Sequence, residues 1–488
     1  MVELQSSEVI RLLAFNPKPL RVSCLRGMYR RIASMIFLVW IAFSGCSTHA
    51  KRLAQPRNLF YGGHLDDSYA QLEKVAKNSR RDRDVVALDM AMIDLLRGKA
   101  HDAETKLLEV RDRFDHLEQK SLAESAASLW TDDQVKAYAG EDYEKVFLRS
   151  FLALSSLLQD GSDAEAYSLQ VNEKQHQLAE RAAEKLGKEY AEKYAPVPLG
   201  FYLRGVLREE TKHDYDDALR AYQQTAELLP TNPTIGWDVS RSSSGVHSAP
   251  GHGVLYVFAL VGRGPSKIEV EEHATSDALL IADRIVSAAG PYTVPPTLAP
   301  IKLPAIQTPA CSIDGIGVEI NGQVIGPTTM LTDVAAIAES TFDVKRKELM
   351  ARAVARRVIK KATVYAAKDS VGQQDPWASL AMDAAGVLWE ASESAETRCW
   401  GLLPREIQIL RVELPHGKHQ LQLAPIRSGR AMGARQSTTV TIEDGRNTYA
   451  LCYYPDAVPI GNIQVSKDNQ VLWSQNLAEP ETTLFTGY

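Results

Sequence analysis

No stretch of this 488-residue chain supplies the apolar length that a membrane-spanning helix requires, about twenty residues for roughly 30 Å of hydrocarbon. Its one long apolar run, Ile32–Gly45, has fourteen. Cysteine is scarce: five in all, of which Cys311, Cys399 and Cys452 stand far apart. That spacing is no disulfide framework, and buried free thiols are expected, although one bridge in an oxidising compartment fits the count. No cysteine sits in a CxxC or beside a histidine at ligand spacing, so no metal site is expected. Excess positive charge is lacking too, with 55 Lys and Arg against 61 Asp and Glu for a net charge of −6. A general nucleic-acid role is therefore not expected, because phosphate binding needs clustered cations. Catalytic signatures are also missing: no HExxH, G-x-S-x-G or SxxK, and "GRGPSK" at 262–267 lacks the spacing of a phosphate loop. No catalytic residue and no cofactor is expected. Glu271, Glu272, Asp277 and Asp283 could pair as acid and base, but in an acidic chain they read as a solvated face.

What the N-terminus does hold is "MYRRIASMIFLVWIAFSGCS", residues 28–47. Arg30 and Arg31 form a positive start, Ile32–Ala42 an apolar core, and Ser44–Gly45 a small-residue site before Cys46. This order reads as an export signal. The run Phe43-Ser44-Gly45-Cys46 resembles the bacterial lipobox, which implies cleavage before Cys46 and lipidation of its thiol; Phe43 departs from the usual Leu. Residues 28–45 are then the signal peptide, and residues 1–27 read as a mis-annotated extension. Removing residues 1–45 takes away six basic and two acidic side chains and moves the net charge from −6 to −10.

Residues 46–65 read as a tether and 66–235 as a helical domain, rich in Ala, Leu, Glu and Lys with apolar spacings of three and four. The clearest unit is "LGFYLRGVLREETKHDYDDALRAYQQTAELLPTNP", residues 199–233, two amphipathic helices around a polar turn. It resembles a tetratricopeptide repeat. Tyr202 stands near the large first-helix position, Ala218 and Tyr222 lie four apart on the second helix, and Pro230 closes the unit. Ala218 admits close helix approach and Tyr222 fills the space beside it. Two weaker units pair Gly98 with Ala103 and Gly161 with Ala166. Their spacing departs from the repeat of about 34 residues, so the array is interrupted.

The Ser- and Gly-rich segment within 236–253 reads as a linker, with His247 and His252 in an exposed loop. An α+β domain is expected over 254–400 and a β-rich antiparallel unit over 401–488. "GVLYVFALVG" reads as a buried strand, "GVEINGQVIG" as a hairpin turning at Asn321–Gly322, and His416–Gly417 and Asp444–Gly445 as further turns. Met330–Lys368 reads as one helix and 377–392 as another. Within the first, "KRKELMARAVARRVIKK" at 345–361 holds eight basic side chains and one acid, Glu348. Arg352, Arg356 and Lys360 share a face, and Arg357 and Lys361 lie beside them. Two readings stand: a surface helix paired with acids of the helical half, or a contact for anionic lipid, glycan or an acidic partner through Arg352, Arg356, Arg357, Lys360 and Lys361.

"YAGEDYEKVFLRSFLALSSLL" at 138–158 and "AETRCWGLLPREIQILRVELPHGKH" at 395–419 extend the resemblance to a poorly characterised family of bacterial lipoproteins with tetratricopeptide-like helices. It implies an α+β multidomain chain, a helical array first, held in the cell envelope by Cys46. It also implies an outer-membrane lipoprotein facing the periplasm, a scaffold binding envelope proteins through its helices. An envelope enzyme or glycan-binding protein using the C-terminal half is the alternative.

Overall fold

The helical periodicity before residue 244 resolves into α1 (His49–Tyr61), α2 (Leu65–Asn78), α3 (Arg83–Leu96), α4 (Ala100–Ala123), α5 (Asp142–Leu157), α6 (Ala164–Leu186), α7 (Lys188–Ala191), α8 (Pro198–Glu210), α9 (Tyr215–Leu228) and α10 (Pro233–Ser243). The computed structural model describes residues 49–123, 137–194, 196–289, 300–371 and 394–467. It divides into Met1–Lys51 and Arg52–Tyr488, and the architecture below is that of the second unit. Cys46 and the helix expected over 377–392 lie outside the described residues.

Helices pair as hairpins, α3 with α4, α5 with α6 and α8 with α9. In the last pair, Tyr202 and Tyr222 meet edge to face at 5.6 Å, and Ala218 is fully buried between the helices. Gly205 is required there, since a Cβ would come within 2.7 Å of the Tyr222 ring. Thr225 is also buried, its hydroxyl donating to the Ala221 carbonyl at 2.9 Å, which satisfies the polar group that replaces an alanine. Pro230 lies exposed just past the end of α9. On α6 the small buried residue is Ala164 and Ala166 is exposed, because the helix begins only three residues after Gly161.

The second half forms two stacked sheets. Its strands are β1 (His252–Arg263), β2 (Ser266–Glu272), β3 (Ile301–Gln307), β4 (Gly315–Ile320), β5 (Gln323–Pro327), β6 (Thr329–Asp333), β7 (Pro404–Pro415), β8 (Gly417–Arg427), β9 (Arg430–Ala431), β10 (Gln436–Ile442), β11 (Asn447–Tyr454) and β12 (Ile460–Val465). The central sheet runs β12-β11-β1-β7-β6 and the outer sheet β10-β8-β4-β5. All ladders are antiparallel except β1 with β11. Period-two alternation divides the cores: Val254, Tyr256, Phe258 and Leu260 of β1 join the helical core, while Leu255, Val257, Ala259 and Val261 pack against the outer sheet. The fold is α+β, with the central sheet between a helical layer and a second sheet.

Three features differ from what local sequence suggests. Strands from 254–400 and from 401–488 interleave in both sheets, since β7 and β11 flank β1 and β8 flanks β4. The turns at His416–Gly417 and Asp444–Gly445 lie where the chain passes from one sheet to the other, not in hairpins. Met330–Asp333 belongs to β6, and helix α12 (Val334–Val371) starts only after it. Asn321 and Gly322 do form the tight β4–β5 turn, with φ of 52° and 81°. Along its outer part α12 packs on α11 (Ser276–Ala289) and the β2–β3 pair through a third core of Ala278, Ala282, Leu303, Met350, Val354 and Ile359.

Candidate binding groove

Helical spacing builds a charged concavity among the described residues. Arg111, Asp115 and Glu118 follow one another by four and three on α4, Lys145 and Arg149 by four on α5, and Gln170, Lys174 and Arg181 by four and seven on α6. These spacings put each set on one face of its helix. Together α4, α5 and α6 enclose an open groove of about 450 Å³ lined by Arg111, Asp115, Glu118, Arg149, Lys174 and Arg181.

Its floor is a lattice of ion pairs. Arg149 holds both Asp115 oxygens, at 2.6 and 2.9 Å, and Lys174 reaches Asp115 at 3.2 Å and also Glu118. Glu118 further meets Arg181 at 2.5 Å and Lys145 at 3.0 Å. Burial by itself would raise the Glu118 carboxyl, but Lys145 and Lys174 outweigh it and hold the group at about 2. From Lys145 the pairing continues inward: to Asp142 at 3.4 Å, from Asp142 to Lys345 of α12 at 2.9 Å and to the Tyr194 hydroxyl at 2.8 Å, and from Lys345 to Glu141 at 3.7 Å. Glu141 ends on Lys267 of β2 at 2.7 Å. Burial opposes charge on Asp142 too, yet Lys345 and Lys145 keep its carboxyl well below the ordinary range.

Among the described side chains, the basic helix meets this lattice at its start. Lys345 enters it, Arg346 pairs with Glu272 at 2.5 Å, and Lys347 pairs with Asp277 at 2.8 Å. Arg352 is half exposed and pairs with Glu348 on the same helix at 2.5 Å. Arg356 is partly buried and engaged. Arg357 is buried and donates to the Pro300 carbonyl at 3.0 Å. The side chains of Lys360 and Lys361 lie outside those described. No periodicity within one helix flags the groove, because its charges come from three helices; the local signals are same-face sets such as Arg111/Asp115/Glu118, Lys145/Arg149 and Gln170/Lys174.

Other polar groups serve the fold. His247 is buried, bonded to Asn447 Oδ1 at 2.9 Å and Ser248 Oγ at 3.0 Å, because its loop folds back over the start of β11. His247 thus departs from the exposed loop expected there, while its neighbours at 243–246, 249 and 250 are exposed and His252 is half-buried at the start of β1. Glu144 is buried with Tyr138, with Tyr143 at 3.3 Å and the Trp400 amide at 2.7 Å, and burial raises its carboxyl. Cys311, Cys399 and Cys452 are free, and burial pushes each thiol up, away from the reactive thiolate. Among the described residues no cluster of three or more His, Cys, Asp or Glu could hold a metal ion, and no helix is long and apolar enough to cross a membrane. A second cleft, about 920 Å³, lies between β10, β12, the start of α2 and the end of α3, and Asp66 is its one lining carboxylate. No protein-family model, curated protein or solved structure matches the chain.

Proposed function

We propose that this chain is a lipoprotein of the bacterial cell envelope, anchored through Cys46 and acting without catalysis as a scaffold whose tetratricopeptide-like helices hold a protein partner. The observation that carries the reading is the groove. Helix α5 packs Leu154 and Leu157 against Phe258 and Leu451 of the central sheet, while α4, α5 and α6 leave an open, charged concavity. Helix pairs with one face buried and another open suit peptide binding. The anchor rests on the lipobox-like run ending at Cys46, and Ser47 after it is the basis for placing the anchor in the outer membrane. A lone acyl chain binds membranes only marginally, near 10⁴ M⁻¹, so a diacylglyceryl cysteine supplies the second chain that lasting attachment needs.

Crosslinking in intact cells followed by affinity capture of the chain tests the scaffold. A reproducible envelope partner is the expected result, and its absence across replicates would count against the reading. Loss of palmitate labelling in Cys46→Ala tests the anchor. The 920 Å³ cleft favours a second reading, glycan binding, because Gln436, Ser437, Thr438, Asn462 and Gln464 line it with amides and hydroxyls. Retention on immobilised peptidoglycan fragments, lost in Asn462→Ala, would support that alternative.

A further inference from the structure

We infer that the turn between α2 and α3 is a second membrane contact, a cationic surface that rests on the anionic phospholipid headgroups of the bilayer holding the Cys46 anchor. The inference rests on the anchor reading and adds an orientation to it. It starts from charge. Residues 73–84, "EKVAKNSRRDRD", carry Lys74, Lys77, Arg80, Arg81 and Arg83, all exposed. No ion pair engages any of the five among the described residues. Two of the three acids in the stretch are already held, Asp82 by Arg52 at 2.7 Å and Asp84 by Arg113 of α4 at 2.6 Å. Five cations are then left with one exposed acid, Glu73. Asp66 and Asp67 sit in the first turn of α2, roughly 18 Å from its far end at 1.5 Å per residue.

Fold stability does not account for the arginines. Arg80 and Arg81 precede α3, and Arg83 is its first residue. That end of a helix carries positive partial charge, so cations there weaken the helix slightly. Other groups fix the turn. Ser79 Oγ and Arg52 Nε both donate to Asp82 Oδ2, at 2.7 and 2.8 Å, and Arg398 donates to the Arg81 carbonyl at 3.1 Å. The guanidinium groups of Arg80, Arg81 and Arg83 take no part in these contacts. Lys77 alone has a local use, since it lies in the last turn of α2, where a cation suits the helix dipole.

Connectivity selects the ligand. Arg52, which grips Asp82 in this turn, follows Cys46 by six residues. Six residues span at most about 20 Å of chain. From Arg52 onward α1 is held in place: Leu53 and Phe60 are fully buried, Arg57 pairs with Asp89 at 2.8 Å, and Ser68 donates to the Pro56 carbonyl at 2.7 Å. The tether to the lipid is therefore short. Headgroup attraction for Lys and Arg falls off within a Debye length, about 8 Å at physiological ionic strength, and so acts only on charges held close to the surface. A short anchor supplies that proximity as a high effective concentration. The expected mature chain, at −10, is repelled by an anionic surface as a whole, which favours the one orientation that turns this cationic end to the bilayer.

The test uses the full lipidated chain carrying Asn78→Cys, labelled with the fluorophore NBD on the turn, with Cys311→Ser to keep labelling to one site. It is reconstituted into phosphatidylcholine vesicles with and without 30% phosphatidylglycerol, each containing a nitroxide-headgroup lipid as quencher. Quenching at 20 mM NaCl should be at least threefold stronger on the anionic vesicles and should fall to the neutral level at 500 mM. The triple variant Arg80→Gln/Arg81→Gln/Arg83→Gln should lose at least two thirds of that difference with an unchanged melting curve. The corresponding triple Lys variant should retain most of it, because headgroup attraction follows charge. A label at His213→Cys on the α8–α9 turn should respond to neither lipid nor salt; an equal response there would mean that no one surface faces the bilayer and would overturn the inference. Equal quenching on the two vesicle types, or quenching indifferent to the triple Gln variant, in a chain that still floats with neutral vesicles, overturns the inference and keeps the anchor. A wild-type chain that does not float with neutral vesicles overturns the anchor reading, and the inference with it.

Discussion

Both halves of the molecule bury apolar cores, but the helical half also buries a lattice of charges. In the sheet half, β1 and β11 are sealed on both faces by aliphatic and aromatic side chains, with Phe258, Tyr449 and Leu451 turned to the helices and Ala450, Cys452 and Tyr454 to the outer sheet. In the helical half, α5 is buried along its whole length, yet its first turns carry Asp142, Glu144, Lys145 and Arg149. Apolar burial is non-directional and tolerates sliding, whereas a buried ion pair is stable only in one geometry. The apolar cores of both halves accordingly supply the bulk of the stability, and the ionic lattice specifies how α4, α5, α6, β2 and α12 register against one another.

The comparison breaks first in the apolar layers. Phe258→Ala should cost about 3–5 kcal/mol, because it removes a buried ring between the central sheet and α5 where little can collapse into the space. Trp400→Ala should fall in the same range of about 3–5 kcal/mol, since its ring packs at 5.4 Å on Phe151. Chemical denaturation measures both, and a loss below about 1 kcal/mol would deny the apolar cores that role. For the lattice, Lys267→Ala leaves Glu141 without its closest cation and should cost about 3 kcal/mol. The paired change Lys267→Met/Glu141→Leu should recover most of that loss, showing that pairing and not net strength is at stake. If the double variant is as unstable as the single one, the register argument fails.

A third prediction concerns acid. The Glu118 carboxyl is held at about 2 in the fold, against an ordinary value of 4.5. A depressed carboxyl contributes stability that is fully present above the unfolded value and drains away as pH falls through the folded one. The wild type should therefore lose stability between about pH 4.5 and pH 2, and Glu118→Gln should show a flatter slope across that window in urea titrations. Smallest of all is the exposed Arg352–Glu348 pair, where Arg352→Gln should change stability by about 0–1 kcal/mol. A larger loss would mean that the outer face of α12 does more than solvate.

Much of the fold was legible because its causes are local. Period-four spacing marked the helices, the apolar run at 254–261 marked a strand sealed on both faces, and Asn321–Gly322 marked a two-residue turn whose positive φ values those residues accept. Tyr202, Ala218 and Tyr222 predicted their own contact, since helix packing follows from side-chain size at fixed spacing. Partner choice among strands was not legible. Val254 pairs with Asn447 and Glu413, residues more than 150 positions away, and nothing in either segment names the other. The groove was hidden for the same reason, as Asp115, Arg149 and Lys174 each look like ordinary surface charge until three helices bring them together.

The amino-acid sequence by itself determined the helical first half, the alternating strands of the second, and the small residues that let α8 and α9 touch, because these depend on propensity and periodicity within a dozen residues. Only the tertiary structure decided that the strands form two sheets with one parallel ladder, that His247 is buried, and that four cations converge on two carboxylates beside an open groove. The physical reason is that burial and Coulomb energy depend on distance in space, and long-range contacts place residues that the chain itself keeps far apart.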